Sequence, residues 1–369
     1  MKIAIITLPL HTNYGGILQA YALQTVLKRM GHQVTLIEPK KRPLHHKCVL
    51  PLVWLKRALR KYLLGKDVVI FKNPWLVVRQ YTDVFINKYI QIERVEDWDE
   101  KLANSYDAFV VGSDQIWRPC CCPNLGHAFL DFTKNKKVLR LSYAASFGTS
   151  EQEYSREEIA LCKDLIRQFD IVSVRETSGV NLIKDYFDVE SKQVLDPTML
   201  LSDKDYIQLF KESQESKSEG NLLVYVLDQK QEITDSIKEL EKSEGLKAFY
   251  VNSRVDEIYA PITERIQPPV ERWLRGFYDA EFIVTDSFHA CVFSILFHKP
   301  FVVFVNKTRG MARFLTLLEM FHMEDRLVYS YEDYRKKKNR LISDEDFKDV
   351  DRILGQKRNE AFELLKILK

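Results

Sequence analysis

The chain of 369 residues lacks a dominant charge, with 55 Lys and Arg set against 52 Asp and Glu for a formal net charge of +3. Such balance gives no general footprint for nucleic acid, so no nucleic-acid partner is expected and any bound anion must be met by a local cluster. The chain also lacks an unbroken apolar run of the roughly 18–20 residues that a membrane span requires. Its opening, MKIAIITLPL, is apolar but leads into a turn and a helical pattern with no small-residue cleavage site, so it reads as a first β-strand rather than a signal peptide. Six cysteines include the adjacent Cys120, Cys121 and Cys122, yet no C-x-x-C pair has metal or redox spacing. Reduced thiols in the cytoplasm are expected, with no metal site and no bound cofactor. The G-x-G-x-x-G fingerprint is missing too: Asn13-Tyr14-Gly15-Gly16 follows the first strand, but the later glycines are absent. Glu38 stands roughly where a ribose-binding acid would, which keeps an NAD reading open against those missing glycines.

What remains is an ordinary globular composition, 46% apolar and 29% charged, in a chain whose length fits about two domains. Residues 3–8, the helical pattern 17–32 and the strand VTLIE form a β-loop-α-β unit, and further strand patterns follow at 107–112, 140–148, 170–175 and 192–197. A polar stretch, 211–221, interrupts the pattern; after it strands recur at 222–228, 247–252, 282–287 and 300–306, with a helical pattern closing the chain. The expected architecture is α/β: two Rossmann-like, doubly wound parallel-sheet domains, 1–210 and 211–369, facing a central cleft. The segment 47–66 is basic and amphipathic, and two readings stand for it. One is a helix in peripheral contact with an anionic membrane, at the inner face of the cell; the other is a helix covering the first sheet with a solvated basic face.

Ligands of open α/β sheets bind beyond the carboxyl ends of strands, which directs attention to the residues that follow each strand. Asn13, Tyr14, Gly15 and Gly16 offer close backbone approach and outward helical N–H groups. Asp114 and Gln115, in GSDQIW, suit hydrogen bonds to sugar hydroxyls or general-base work on one of them, against a reading of Asp114 as a turn cap. Arg175 ends a strand and presents a planar fork for carboxylate or phosphate, against a structural bridge to Glu176. Ser287, Phe288 and His289 lead from a buried strand into an apolar helix whose N–H groups favour negative charge, and His289 falls in its first turn. Arg309 and Arg313 add positive charge after the next strand, either as anion ligands or as solvated side chains.

Taken in order, NYGGILQAYALQ, GSDQIW, SYAASFG, SVRE, VLDPT and TDSFHA resemble the polysaccharide pyruvyl transferase family over about residues 3–315. The resemblance implies a fold similar to the GT-B glycosyltransferases, phosphoenolpyruvate as donor and co-substrate, and a pair of sugar hydroxyls as acceptor. It further implies a role in bacterial capsular or exopolysaccharide synthesis, with lipid linkage of the acceptor left open. Family members hold the donor through an arginine and an R-L-H motif at the start of a helix in the second domain. By position Arg175 corresponds to that arginine and His289 to that histidine, whereas Ser287 and Phe288 replace the motif's arginine and leucine. One donor cation is therefore missing, to be supplied by Arg309 or Arg313 unless the donor is held differently. On this reading His289 is the general acid and Asp114 the base on the acceptor hydroxyl. A nucleotide-sugar glycosyltransferase and a catalytically silent carbohydrate-binding protein are the rival readings.

Overall fold

The computed structural model describes residues 1–40, 50–63, 65, 67–70, 73–134, 136–228, 230–305, 310–341 and 347–369. Short apolar runs build two parallel sheets. The first runs β3-β2-β1-β4-β5, from β1 (Lys2–Ile6), β2 (Gln33–Pro39), β3 (Ile92–Val95), β4 (Ala108–Val111) and β5 (Leu139–Ser142). A two-stranded extension, β6 (Ser173–Val174) with β7 (Lys192–Gln193), joins its edge through the bridges Leu141↔Ile171 and Ala145↔Val174. The second runs β12-β11-β10-β8-β9, from β8 (Leu222–Tyr225), β9 (Ala248–Tyr250), β10 (Phe282–Thr285), β11 (Phe301–Phe304) and β12 (Leu327–Val328). Every residue of β4, β8, β10 and β11 is buried, as expected where helices cover both faces of a parallel sheet.

Strand order reverses beside β1 and β4 in the first sheet and beside β8 and β10 in the second, so the connections there diverge to opposite faces and leave a crevice. The loops after those four strands carry the site described below. Two edge strands, β3 and β12, have no counterpart in the strand pattern of the sequence. β3 is largely exposed and polar, and β12 is two residues long. The strand patterns 140–148 and 192–197 also shorten. Pairing in β5 stops at Ser142, near Ala144 with φ 51°, and β7 gives way to a 3₁₀ turn at Pro197–Leu200.

The two sheets share an interior. One continuous cluster of buried side chains includes Ile3, Leu23 and Leu36 of the first half together with Trp273, Phe293 and Phe301 of the second. Two smaller clusters line the outer faces of the individual sheets. Tyr14 enters the shared interior: its ring stacks on Trp273 at 5.4 Å and its hydroxyl donates to the carbonyls of Pro268 (2.8 Å) and Val251 (3.3 Å). The chain passes between halves through the helix Asp203–Glu212, within which the 210/211 boundary falls. The final helix, Val350–Leu365, returns to the first half, where Arg358 donates to the carbonyls of Met199 and Leu201.

The basic amphipathic segment forms the helix Leu50–Tyr62. Among the described residues none of its side chains joins a core cluster. No helix among the described residues is long and apolar enough to cross a membrane.

Candidate active site

Asn13 begins the site by capping the helix Tyr14–Arg29, its side chain accepting from the Gly16 amide at 3.3 Å. The two glycines that follow provide clearance. A Cβ on Gly15 would lie 1.9 Å from His289 Nδ1, and one on Gly16 would lie 3.4 Å from Asp114 Oδ2. One turn on, the buried Gln19 accepts from both the amide and the hydroxyl of Ser113 (2.9 Å each) and donates to Thr7 Oγ1 (3.1 Å). The loop after β4 is thereby tied to the end of β1, and it carries Asp114 in a left-handed conformation (φ 60°) that aspartate tolerates better than most residues.

Arg175 leaves the end of β6 and is almost wholly buried. Its Nη1 lies 2.8 Å from Asp196 Oδ2 and its Nη2 lies 3.6 Å from Asp114 Oδ1. Burial works against its charge, but Asp196, Asp114 and the adjacent Glu176 outweigh burial and strengthen its hold on the proton. Glu176 does not form the simple bridge to Arg175 that adjacency suggests. Its Oε1 accepts from Ser146 Oγ (3.0 Å), Phe147 N (2.7 Å) and Gly148 N (3.0 Å), which shapes the SYAASFG loop.

Across the crevice, Asp286 accepts from the amides of Leu227 (2.7 Å) and Asp228 (3.0 Å), locking the ends of β8 and β10 together. Ser287 then opens the helix Phe288–Leu296 without a side-chain cap bond. His289 faces the first half, with Nε2 3.6 Å from the same Asp196 Oδ2 that receives Arg175. Burial alone would raise the Asp196 carboxyl, but His289, Arg175 and Thr198 overcome it and hold the group well below the usual carboxylate range. Phe288 is flanked by two guanidiniums, Arg175 at 4.7 Å and Arg313 at 5.5 Å from its ring centre, an arrangement that an aromatic face stabilises. Arg313, in the first turn of the helix Met311–Met320, is brought down to about 10 by burial and then by the like charge of Arg175. It still carries its charge at neutral pH. Gly310, at φ 84°, sets that helix against the first half, since a Cβ there would meet the Gly148 carbonyl at 1.8 Å.

These loops enclose a cavity of about 240 Å³. Asn13, Asp114, Gln115 and Arg118 line it from the first half, and Ser287, Phe288, His289 and Arg313 from the second. Arg118 is anchored by Glu153 (2.7 Å) and by Gln115 (3.1 Å). Cys121 also reaches the cavity, but burial, followed by Cys120, pushes its thiol up to about 11, so it remains protonated and unsuited to nucleophilic work at neutral pH.

The residues singled out from the sequence thus fall into three groups. Asn13, Asp114, Gln115, Ser287, Phe288, His289 and Arg313 meet at the cavity, with Arg175 behind Phe288 and joined to His289 through Asp196. Tyr14 is fully buried between the halves and Gly15 and Gly16 act as spacers, so these three shape the site from behind. Arg309 lies outside the described residues. Sequence reasoning passed over Asp196 and Gln19 as site residues. Asp196 lies in VLDPT, an aspartate before proline at a strand end, and its role shows only once Arg175 and His289 are seen to converge on one oxygen. Among the described residues no group of three His, Cys, Asp or Glu is placed to hold a metal ion.

The family model described as polysaccharide pyruvyl transferase matches residues 13–308. No curated protein sequence matches the chain. Among solved structures, a putative UDP-N-acetylglucosamine 2-epimerase from Listeria monocytogenes aligns with a TM-score of 0.52 at 11% identity, covering 99% of this chain and 96% of that one. MurG from Acinetobacter baumannii aligns at 0.47 and 12% identity, covering 99% of both chains. At such identities the likeness is one of fold: two Rossmann-like halves about a cleft, the GT-B arrangement.

Proposed function

Because the chain belongs to the polysaccharide pyruvyl transferase family, we propose that it transfers the pyruvyl group of phosphoenolpyruvate to hydroxyls of a sugar, forming a ketal during synthesis of a cell-surface polysaccharide. The observation that carries the reading is the convergence of Arg313, His289 and an apolar helix opening on one small cavity between the halves, with Arg175 directly behind Phe288. A compact dianion suits such a site. Arg313 is a buried cation further disfavoured by Arg175, and a phosphate or carboxylate beside it relieves that cost.

Ketal formation requires a proton at C3 of the enol, attack by a sugar hydroxyl at C2, departure of phosphate and attack by a second hydroxyl. Arg313 and the amides opening the helix at Phe288 hold the two anionic groups, and Arg175 adds its field through the Phe288 ring. His289 supplies the proton, with Asp196 as the group that positions its imidazole. Asp114, on the first-half wall of the cavity, takes the proton of the attacking hydroxyl. The family's missing arginine at Ser287 is compensated on this reading by Arg313, which reaches the same Phe288 ring from the following helix.

The test is to incubate the protein with phosphoenolpyruvate and a panel of nitrophenyl and lipid-linked glycosides, measuring phosphate release and product mass. Pyruvylated glycoside is expected with this donor and none with UDP- or CMP-sugars. Glycosyl transfer from a nucleotide sugar, or tight glycoside binding with no phosphate released from any acceptor, would replace the reading by one of its rivals. The proposed chemistry draws its positive charge from side chains and backbone, so turnover is expected to survive dialysis against EDTA; loss restored by Mg²⁺ would contradict that.

A further inference from the structure

Between Glu38 and Asp67 the sequence contains nine Lys and Arg and no Asp or Glu, in a chain whose charges otherwise nearly balance. Within this stretch lies the helix Leu50–Tyr62, and its periodicity is unusual in where the apolar residues point. Leu55, Leu59, Tyr62 and Leu63 recur at i, i+4, i+7 and i+8, which places them along one stripe of a helix. In a helix packed on a core this stripe would face inward. Here it faces solvent: Leu55 is 57% exposed, Leu59 48%, Tyr62 75% and Leu63 74%. The partly covered positions are Val53, Trp54, Arg57 and Ala58 on the opposite side, where Arg57 donates to the Ile70 carbonyl. The exposed cations Lys56 and Arg60 stand beside the apolar stripe.

A second exposed apolar pair belongs to the same rim of the molecule. The chain leaving the helix is tied by Asp67 to the second half, its carbonyl accepting from Ile262 N (3.2 Å) and its carboxylate from Thr263 Oγ1 (2.8 Å). Three residues before Ile262 stands Tyr259, 87% exposed, preceded by Ile258 at 66%. Arg254 engages both Glu257 and Glu264 around this loop. The preceding segment, Asn252 to Glu257, lines a groove of about 400 Å³ that meets the central cavity at Leu227.

We propose that this surface docks the protein on an anionic phospholipid bilayer, with Leu55, Leu59, Tyr62 and Leu63 entering the acyl boundary and Lys56 and Arg60 meeting the headgroup charge. Charge complementarity selects this occupant. An outward apolar stripe flanked by cations and free of carboxylates matches a negatively charged interface, whereas two copies of the same surface would bring like charges together. Docking in this orientation sets the groove and the cavity behind it next to the membrane, where an acceptor carried on a lipid would be presented. The binding itself does not depend on the transfer reaction.

The experiment is flotation of the full chain with vesicles of phosphatidylcholine alone and of phosphatidylcholine with phosphatidylglycerol in equal parts. Recovery with the anionic vesicles only, reversed by raised salt, is the expected result. Leu59→Glu with Leu63→Glu is expected to abolish recovery. Lys56→Gln with Arg60→Gln is expected to lower partitioning about thirtyfold, since each cation near such a surface contributes about 1 kcal/mol. Both variants should keep the parent's circular dichroism and its phosphate release with a soluble glycoside, because these side chains touch neither the core nor the cavity. Failure of the parent to float with anionic vesicles, or equal flotation of the Leu59→Glu, Leu63→Glu variant, overturns the proposal. So does a dimer of the parent in sedimentation equilibrium that the same two substitutions dissociate, which would assign the stripe to a second copy of the chain.

Discussion

Asp196 is the residue on which the site's electrostatics turn, because one of its oxygens receives both Arg175 at 2.8 Å and His289 at 3.6 Å in a region closed to water. Removing its charge leaves Arg175 buried with a weaker partner, so Asp196→Asn is expected to cost about 3–5 kcal/mol in urea denaturation at neutral pH. The carboxyl is held below its ordinary value in the folded state, so its contribution is complete above pH about 4 and is lost as pH falls below that. The difference between parent and variant should therefore shrink in acid; a constant difference down to pH about 2 would mean that the ion pairs are not its source. His289→Ala is expected to keep the fold and abolish phosphate release from phosphoenolpyruvate. Gly15→Ala tests the same histidine indirectly: a methyl group 1.9 Å from Nδ1 must displace the ring, so kcat should fall steeply while the melting temperature changes little. Near-parental turnover in either variant would end the proposed role of His289. Arg175 and His289 were legible in the sequence from their places after strands. Their meeting point was not, since Asp196 is distant from both in sequence and no local pattern marks a shared carboxylate.

At the scale of elements, what the sequence revealed and what it hid divide by burial. The central strands β1, β4, β8, β10 and β11 are continuous apolar runs and announce themselves, whereas β3 and β12 take their conformation from hydrogen bonding to an existing sheet edge. The same distinction separates Asn13 from Tyr14. Both follow β1, but Asn13 faces the cavity while Tyr14, the next residue, starts a helix whose buried side inserts the ring against Trp273. Tyr14 had been expected to meet an acceptor; its hydroxyl is instead satisfied by the carbonyls of Pro268 and Val251, which makes it a fastening between the halves. Truncation should show that. Tyr14→Ala is expected to lose about 3–5 kcal/mol of stability, as for a large buried aromatic, and Tyr14→Phe about 1 kcal/mol for the hydroxyl alone. If Tyr14→Phe left stability intact but raised KM for the sugar, the residue would belong to the acceptor site after all.

For the whole molecule, the shared interior bears on how the protein unfolds and how it answers to its donor. Two separate Rossmann-like halves would each melt alone, but here one cluster of buried side chains runs from Ile3 to Phe301 across both, and the terminal helix crosses back to brace the first. Neither half can open fully without exposing apolar surface of the other, so unfolding should be a single cooperative transition. Two tryptophans provide the readout, Trp117 packed on Phe129 in the first half and Trp273 on Tyr14 in the second. Variants retaining only one of these as the buried reporter should show coincident urea midpoints. Phosphoenolpyruvate should move both together, because the cavity draws its wall from both halves and a guest there binds only their joined form. At a hundredfold excess over its Kd the donor should add about 2.7 kcal/mol to each. A shift confined to the Trp273 reporter would mean that the donor is held by the second half alone and that the first contributes only the acceptor wall.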